Sequence, residues 1–480
     1  MTRSSRCLFF AAAALLLISA VLVWKFPLAN AFHYELAILS AVLVFGFSAG
    51  AGMAAGVPVR PLAWWTSAFA LVPLIPAQVE QWTVQPCSQP PGFLFYFLHV
   101  VPAAICGSGA GLFSRRWQRV KWRVFLVLSL VAAASSYVLW TLYRDAPVRF
   151  HHPLFGMWPG SIYDEQVDVI PPLFWGRLEG FLAGLALWMA GLGKPRAAGM
   201  AAMAGFSLFL LAPFTGTRVT HARLRTEFAP VARTKSAAIY FHPQVSTPEQ
   251  ERITGLVDEA MRHILPRLGI ETAPQVELFV FPSADERYRY TGARQTTYTK
   301  PWLGTAYLEP KSLAGLRGER LLEHELVHLV TAGWGPVLGL PWNIALLEGT
   351  AVALVPPAGY RLPALSRVIV ENRPQLDLEQ FLQFAGFWRE SAAAAYPVAG
   401  AFVEWLLESR GPGTLERLWR LGPGAPPPEG SWTDLAAEFR AYLETVEPVE
   451  AEKAAGKVLA RRKSVFEKRC PHDLGIAGSE

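Results

Sequence analysis

Residues 319–333 read ERLLEHELVHLVTAG, two histidines four apart with a glutamate directly after the first. On an α-helix, positions i and i+4 stand one above the other with β-carbons about 5–6 Å apart, so His324 and His328 direct imidazole nitrogens at one ion. Zinc–nitrogen bonds of about 2.0–2.1 Å suit that spacing. Glu325 points about 100° around the helix, where its carboxylate reaches a water beside the ion rather than the ion itself. Leu321, Leu322, Leu326, Val327, Leu329 and Val330 make the flanks apolar, as expected of a helix laid beneath a cleft, and Gly318 and Gly333 bound the segment.

Catalytic zinc uses three protein ligands and leaves a position for water, whereas structural zinc closes with four. A third ligand is available downstream: LPWNIALLEGTAVAL, residues 340–354, places Glu348 in an otherwise apolar helix. An unpaired carboxylate is costly to bury there; a metal removes that cost, and the alternative is an ion pair with an Arg or Lys from elsewhere. Pro341, Asn343 and Glu348 keep residues 337–358 from reading as a membrane span.

His324-Glu325-Leu326-Val327-His328, nineteen residues, then Glu348-Gly349-Thr350-Ala351 resembles the gluzincin metallopeptidases. Thermolysin and the aminopeptidase N family belong to that group, and the bacterial peptidase MA-like branch is the most similar part of it. The resemblance covers about residues 236–446. It implies one Zn2+ per chain held by His324, His328 and Glu348, with Glu325 as general base. It also places GTAYLE, residues 304–309, at a cleft-edge strand that pairs with extended substrate, and makes Tyr396, in AYPVAGAFVEWLLESRG (395–411), the residue that steadies an oxyanion. Thr331 and Trp334 stand where the metzincin pattern needs glycine and histidine, which excludes that branch.

The N-terminal half is of another kind. Of 480 residues 52% are hydrophobic and 17% charged, too apolar for a wholly soluble chain and too polar for a wholly embedded one. Apolar runs near the length a bilayer requires, about 20 residues, recur at 7–24, 34–57, 62–79, 93–113, 122–143, 173–192 and 198–216. Seven spans are expected, the third interrupted by Pro73 and Pro76. Lys and Arg mark cytoplasmic segments. Arg3 and Arg6, Arg60, the cluster Arg115, Arg116, Arg119, Lys121 and Arg123, and Lys194 with Arg196 fall on one side, against Lys25, Arg144 and Arg149 on the other. The charges put the N-terminus in the cytoplasm, and an odd count then delivers everything after residue 216 to the extracytoplasmic, or periplasmic, side of the plasma (inner) membrane. The first run also has the look of a signal peptide, with a site at Ala29-Asn30-Ala31. Its length favours a retained helix, and its removal would not change the sidedness. The net charge of +6 sits largely in these loops, so it answers to topology and not to nucleic acid. The loop at 144–172 gathers His151, His152, Asp164, Glu165 and Asp168 without a recurring ligand spacing, and reads as a polar cap on the bundle.

After a linker at 217–235 the charges become frequent and the apolar runs shorten. Strands are expected at 237–243, 275–282 and 302–310, with a helix at 247–269 opening on a Thr247 N-cap. Helices follow at 316–332, 343–355, 378–385, 392–409, 414–421, 432–445 and 448–468, the last in a charged tail, 447–480, that reads as peripheral. The expected fold is a multi-pass α-helical membrane bundle (1–216) plus an α+β zincin-like metallopeptidase domain (236–446). Four cysteines without a CxxC pair imply neither a zinc ribbon nor a disulfide scaffold. Cys87 and Cys470, both on the outer side, are candidates for one disulfide, and Cys7 and Cys106 lie in or beside spans. The function expected is zinc-dependent hydrolysis of a peptide or protein substrate outside the cytoplasm by a protein anchored in the lipid bilayer. The alternative is a non-catalytic receptor or assembly protein that binds peptides with the same fold. Glu319, Arg320 and Glu323 at the start of the motif helix disfavour an intramembrane protease.

Overall fold

The computed structural model describes residues 3–467 except 27, 30–31, 55–56, 82–88, 159–167, 230, 337, 384–385 and 465. Contacts divide the chain into two units, one running through His221 with Arg289–Gly292, the other comprising Ala222–Tyr288 and Ala293–Glu467. Cys87 and Cys470, and Asp164 and Glu165, lie outside the described residues, so the disulfide and part of the polar cap have no structural account.

The first unit is a helical bundle: α1 (Arg3–Trp24), α2 (Tyr34–Met53), α3 (Val59–Leu71), α4 (Leu74–Gln81), α5 (Gln89–Ser114), α6 (Val120–Arg144), a hairpin of β1 (Phe150–His152) and β2 (Gly156–Trp158), α7 (Pro171–Gly191), α8 (Pro195–Leu210) and α9 (Ala212–Thr215). Among the described residues, six stretches are long and apolar enough to cross a membrane: Arg6–Trp24, Tyr34–Met53, Val59–Val79, Pro91–Ser114, Val120–Arg144 and Pro195–Thr215. The remaining expected span is α7, a helix of 21 residues whose first half carries Arg177 and Glu179, two charges that hold its hydropathy below that of the six.

Arg177 explains why a charge is tolerated there. Pro102 lies inside α5 and has no N–H, which frees the carbonyl of Leu98 one turn earlier. Arg177 Nε donates to that carbonyl at 2.9 Å, and its Nη atoms donate to the carbonyls of His99 at 3.4 Å, His152 at 3.2 Å and Pro153 at 3.3 Å. The buried guanidinium, 2% exposed, thus satisfies backbone that lipid would leave unpaired. Helices α2 and α5 approach so closely that a methyl group on Gly111 would collide with the Ala49 carbonyl, the small-residue contact by which membrane helices pack without a hydrophobic driving force. The loop at 144–172 is not simply a solvated cap: it folds into the β1–β2 hairpin, and both ring nitrogens of His151 are buried.

The second unit opens with α10 (His221–Glu227), β3 (Val231–Arg233), β4 (Ala237–Phe241), α11 (Thr247–Arg267), β5 (Val276–Val280), α12 (Ala284–Thr291), β6 (Tyr298–Lys300) and β7 (Thr305–Leu308). Ser246, one residue earlier than expected, is the N-cap of α11. The strands form one sheet in the order β3-β4-β5-β7-β6, with β4, β5 and β7 parallel and both edge strands antiparallel. This corrects the reading of GTAYLE as the edge: β7 is fully buried inside the sheet, and the edge beside it is β6, which the sequence reading missed. The register aligns Tyr240, Phe279, Tyr307 and Tyr298 in one row, and their rings stack successively at 5.1, 6.1 and 4.6 Å between centroids. The other face, with Ile239, Leu278 and Ala306, joins the core made with α11 and the motif helix.

Helices complete the unit: α13 (Gly315–Thr331), α14 (Ile344–Leu354), α15 (Leu362–Asn372), α16 (Leu378–Phe381), α17 (Gly386–Arg389), α18 (Ala392–Arg410), α19 (Pro412–Trp419), α20 (Trp432–Thr445) and α21 (Glu450–Ala460). Gly318 lies inside α13 and does not bound it. The charged tail helix is not peripheral. Glu452 of α21 is 2% exposed, and its carboxylate receives the Arg361 guanidinium at 2.8 and 3.0 Å beside α15, a helix absent from the sequence reading.

Candidate metal centre

Helix α13 supplies the first two side chains. Its Leu322, Leu326, Val327, Leu329 and Val330 are buried in the core, so the helix is clamped by its apolar stripe. That leaves His324 and His328 together on a neighbouring face, their rings 4.8 Å apart and nearly perpendicular. Helix α14 supplies the third. Asn343 caps it, accepting from the Ala345 N–H at 2.9 Å. Gly349, next to Glu348, brings it against α18: a methyl group there would stand 2.5 Å from the Ala399 carbonyl oxygen. Trp419 of α19 fastens the same helix from behind, its indole N–H reaching the Thr350 hydroxyl at 3.3 Å.

His324, His328 and Glu348 offer ligand atoms that all lie within 4.8 Å of one another. His324 Nε2 and His328 Nε2 both face Glu348 Oε2, at 3.5 and 3.6 Å. A charge-assisted hydrogen bond would draw such a pair to about 2.7–2.9 Å. Atoms bound at about 2.1 Å to one tetrahedral ion lie about 3.4 Å apart. The spacing therefore fits a shared cation, and the donor set of two imidazoles and one carboxylate is one that zinc takes. The ion pair with an Arg or Lys considered for Glu348 is not what surrounds it: its partners are the two histidines and the hydroxyl of Tyr396.

The electrostatics follow from burial and from these contacts. Burial lowers His328 to about 4 against the pull of Glu348, so the ring is neutral and a nitrogen lone pair is available near pH 7. Burial acts the same way on His324, but the neighbouring Glu348 carboxylate outweighs it and the pKa is raised. Glu348 is lowered in turn: burial works against ionisation, and both histidines with Tyr396 overcome it. Glu325 is 6% exposed. Burial pushes its carboxyl up to about 7, with His324 opposing, Glu348 adding, and Thr299 and Arg287 opposing.

Tyr396 stands on α18 with its ring centroid 6.5 Å from that of His324 and is backed by Phe387 at 5.4 Å. All five residues named from the sequence are thus gathered in one place. Thr299 was not foreseen, because only the strand register brings it to Glu325. Comparison with known proteins yields no family to set beside this geometry, since no protein-family model and no curated protein matches the chain.

Proposed function

We propose that the second unit is a gluzincin-type zinc peptidase, carried by a multi-pass membrane region and acting on peptide substrates on the extracytoplasmic side. One observation carries the reading: two imidazole nitrogens converge on a single Glu348 oxygen at 3.5 and 3.6 Å, with the Glu325 carboxyl buried beside them. Zinc bound by His324, His328 and Glu348 would lend the positive charge that acidifies a water molecule and polarises a peptide carbonyl.

The chain's own groups do the rest. Glu325 accepts a proton from the attacking water as its oxygen bonds to the carbonyl carbon. When the carbon–nitrogen bond breaks, the same carboxyl returns that proton to the departing amine nitrogen. Tyr396, whose hydroxyl lies at Glu348, is the side chain we assign to donate to the developing oxyanion. The sidedness rests on the loop charges together with α7 crossing as a seventh span.

Glu325→Gln in the full-length protein in detergent tests the reading. Zinc, measured by elemental analysis, stays at about one ion per chain, while peptide hydrolysis falls by at least about 10²-fold, the lower range for a general base. Wild-type turnover in that variant would end the assignment.

A further inference from the structure

One end of the first unit gathers positive charge that the protein does not neutralise. Residues 36–79, 81–144 and 180–226 contain no Asp or Glu, so the α2–α3, α5–α6 and α7–α8 connections carry basic residues and no acid. Arginines of the α5–α6 connection draw the three together. Arg115 donates to the carbonyls of Gly52 at 2.5 Å and Val57 at 2.9 Å, Arg123 to that of Met53 at 2.8 Å, and Arg116 to that of Ala190 at 2.6 Å. These carbonyls stand at or just beyond the C-terminal ends of α2 and α7, where a cation meets the negative end of the peptide dipoles. The three side chains are thus part of the fold.

Five further cations have the opposite placement. Arg60 lies in the first turn of α3. Arg119 is the N-cap residue of α6 and Lys121 lies in its first turn; Lys194 and Arg196 hold the same two positions in α8. All five are exposed, and among the described residues none has a side-chain hydrogen bond or ion pair. None of the three helices has an acid in its first turn or a side chain capping its N-terminus. A cation there faces the positive end of the dipoles and is repelled. Membrane topology asks for positive charge on one side, but not for charge at these positions. The fold leaves it uncompensated, so the counter-charge comes from outside the chain.

The surroundings of the cluster say what kind of anion fits. Helices α6 and α8 rise from it with only 11% and 17% of their apolar stretches buried. Val120, Trp122 and Phe125, at the start of α6, are 66%, 49% and 61% exposed, and tryptophan is a side chain of the membrane–water boundary. A ligand that satisfies both features has an anionic head and long apolar chains.

We propose that Arg60, Arg119, Lys121, Lys194 and Arg196 form a site for the phosphate of an anionic phospholipid whose acyl chains lie along α6. The phosphodiester oxygens accept from the guanidinium and ammonium groups and offset the repulsion at three helix ends. The proposal rests on the first unit spanning a bilayer and is independent of the peptidase reading.

The test uses the full-length protein in a cysteine-free background. Bimane is attached at Val124→Cys, one turn into α6 from the cluster, or at Leu139→Cys toward its other end; both positions are exposed. The protein is reconstituted into phosphatidylcholine vesicles containing increasing fractions of dibrominated phosphatidylglycerol or dibrominated phosphatidylcholine, which quench the dye on contact. At Val124→Cys the fraction giving half-maximal quenching is expected to be at least about fivefold lower for phosphatidylglycerol, the worth of one cation at an anionic surface. At Leu139→Cys the two lipids are expected to quench alike. Replacing Arg119, Lys121, Lys194 and Arg196 together by Gln is expected to remove the preference at Val124→Cys. Equal quenching by both lipids at Val124→Cys would overturn the proposal. So would an unchanged preference in the glutamine variant, or the same preference at Leu139→Cys, which is general enrichment and not a site. If the glutamine variant does not insert, the two positions in the unsubstituted cluster still decide. A preference abolished by inorganic phosphate, but not by chloride at equal ionic strength, reassigns the cluster to a soluble anion and removes the lipid. If neither lipid quenches at either position, the membrane reading of the first unit falls and the proposal with it.

Discussion

Glu348 is the residue on which the site turns, because it joins two histidines of one helix to a tyrosine of another. Its carboxylate is largely withdrawn from water, at a cost that the two histidines and Tyr396 offset. Glu348→Gln keeps the shape and removes the charge, and is expected to weaken zinc binding by more than the 10–100-fold typical of an outer-shell loss, measured by competition with a chromophoric chelator. In the metal-free protein Glu348 raises the His324 pKa against burial. A raised pKa makes the proton a stronger competitor for the ring, so zinc affinity is expected to fall as pH drops, with proton release on binding. Titration calorimetry in buffers of different ionisation heat reads the proton directly. Much of this was legible in the sequence. The i, i+4 pair and the adjacent glutamate declare their geometry by spacing alone, and Glu348 by being the only charge in an apolar helix. Tyr396 was reached only through family resemblance, since nothing in its local sequence sets it apart.

Among the elements, those with long apolar periodicity were found and the short or hidden ones were not. Helix α11 announced itself by Ile253, Val257, Ala260 and Ile264, all buried. Strand β6 has three residues, too few for alternation to register. Helix α15 carries the helical spacing of Leu362, Leu365, Val368 and Ile369, all buried; Pro363, at its first turn, reads as a breaker although proline suits that position. Its partner α21 looked solvent-bound because it is charged, yet Glu452 is the side chain it buries. Arg361 and the backbone N–H groups of Arg361 and Val449 hold that carboxyl down to about 2. The usual glutamate pKa is about 4.3. A folded-state pKa below the unfolded value gives a contribution that is complete above about pH 5 and vanishes as pH falls toward 2. Glu452→Gln should therefore flatten the acid limb of the stability curve between pH 5 and pH 3, measured by thermal unfolding of the full-length protein. An unchanged slope would assign the acid sensitivity to other carboxylates.

For the molecule as a whole, α7 decides which side of the membrane the second unit occupies. Six crossings return the chain to the side of its N-terminus; α7 as a seventh delivers it to the other. In a cysteine-free background, Gly422→Cys is expected to react with an impermeant maleimide in intact spheroplasts, and Gln118→Cys, between α5 and α6, only after lysis. Reaction of both on the same side would fix an even count. Sequence hydropathy counted this run among seven spans without singling out Arg177 and Glu179, and the freed carbonyl before Pro102 shows why one of those charges is tolerated. That pairing has a consequence in time. Arg177 follows Leu98 by 79 residues, which at about 5–20 residues per second of synthesis is about 4–16 s. Until Arg177 has been made, the Leu98 carbonyl freed by Pro102 lacks this donor.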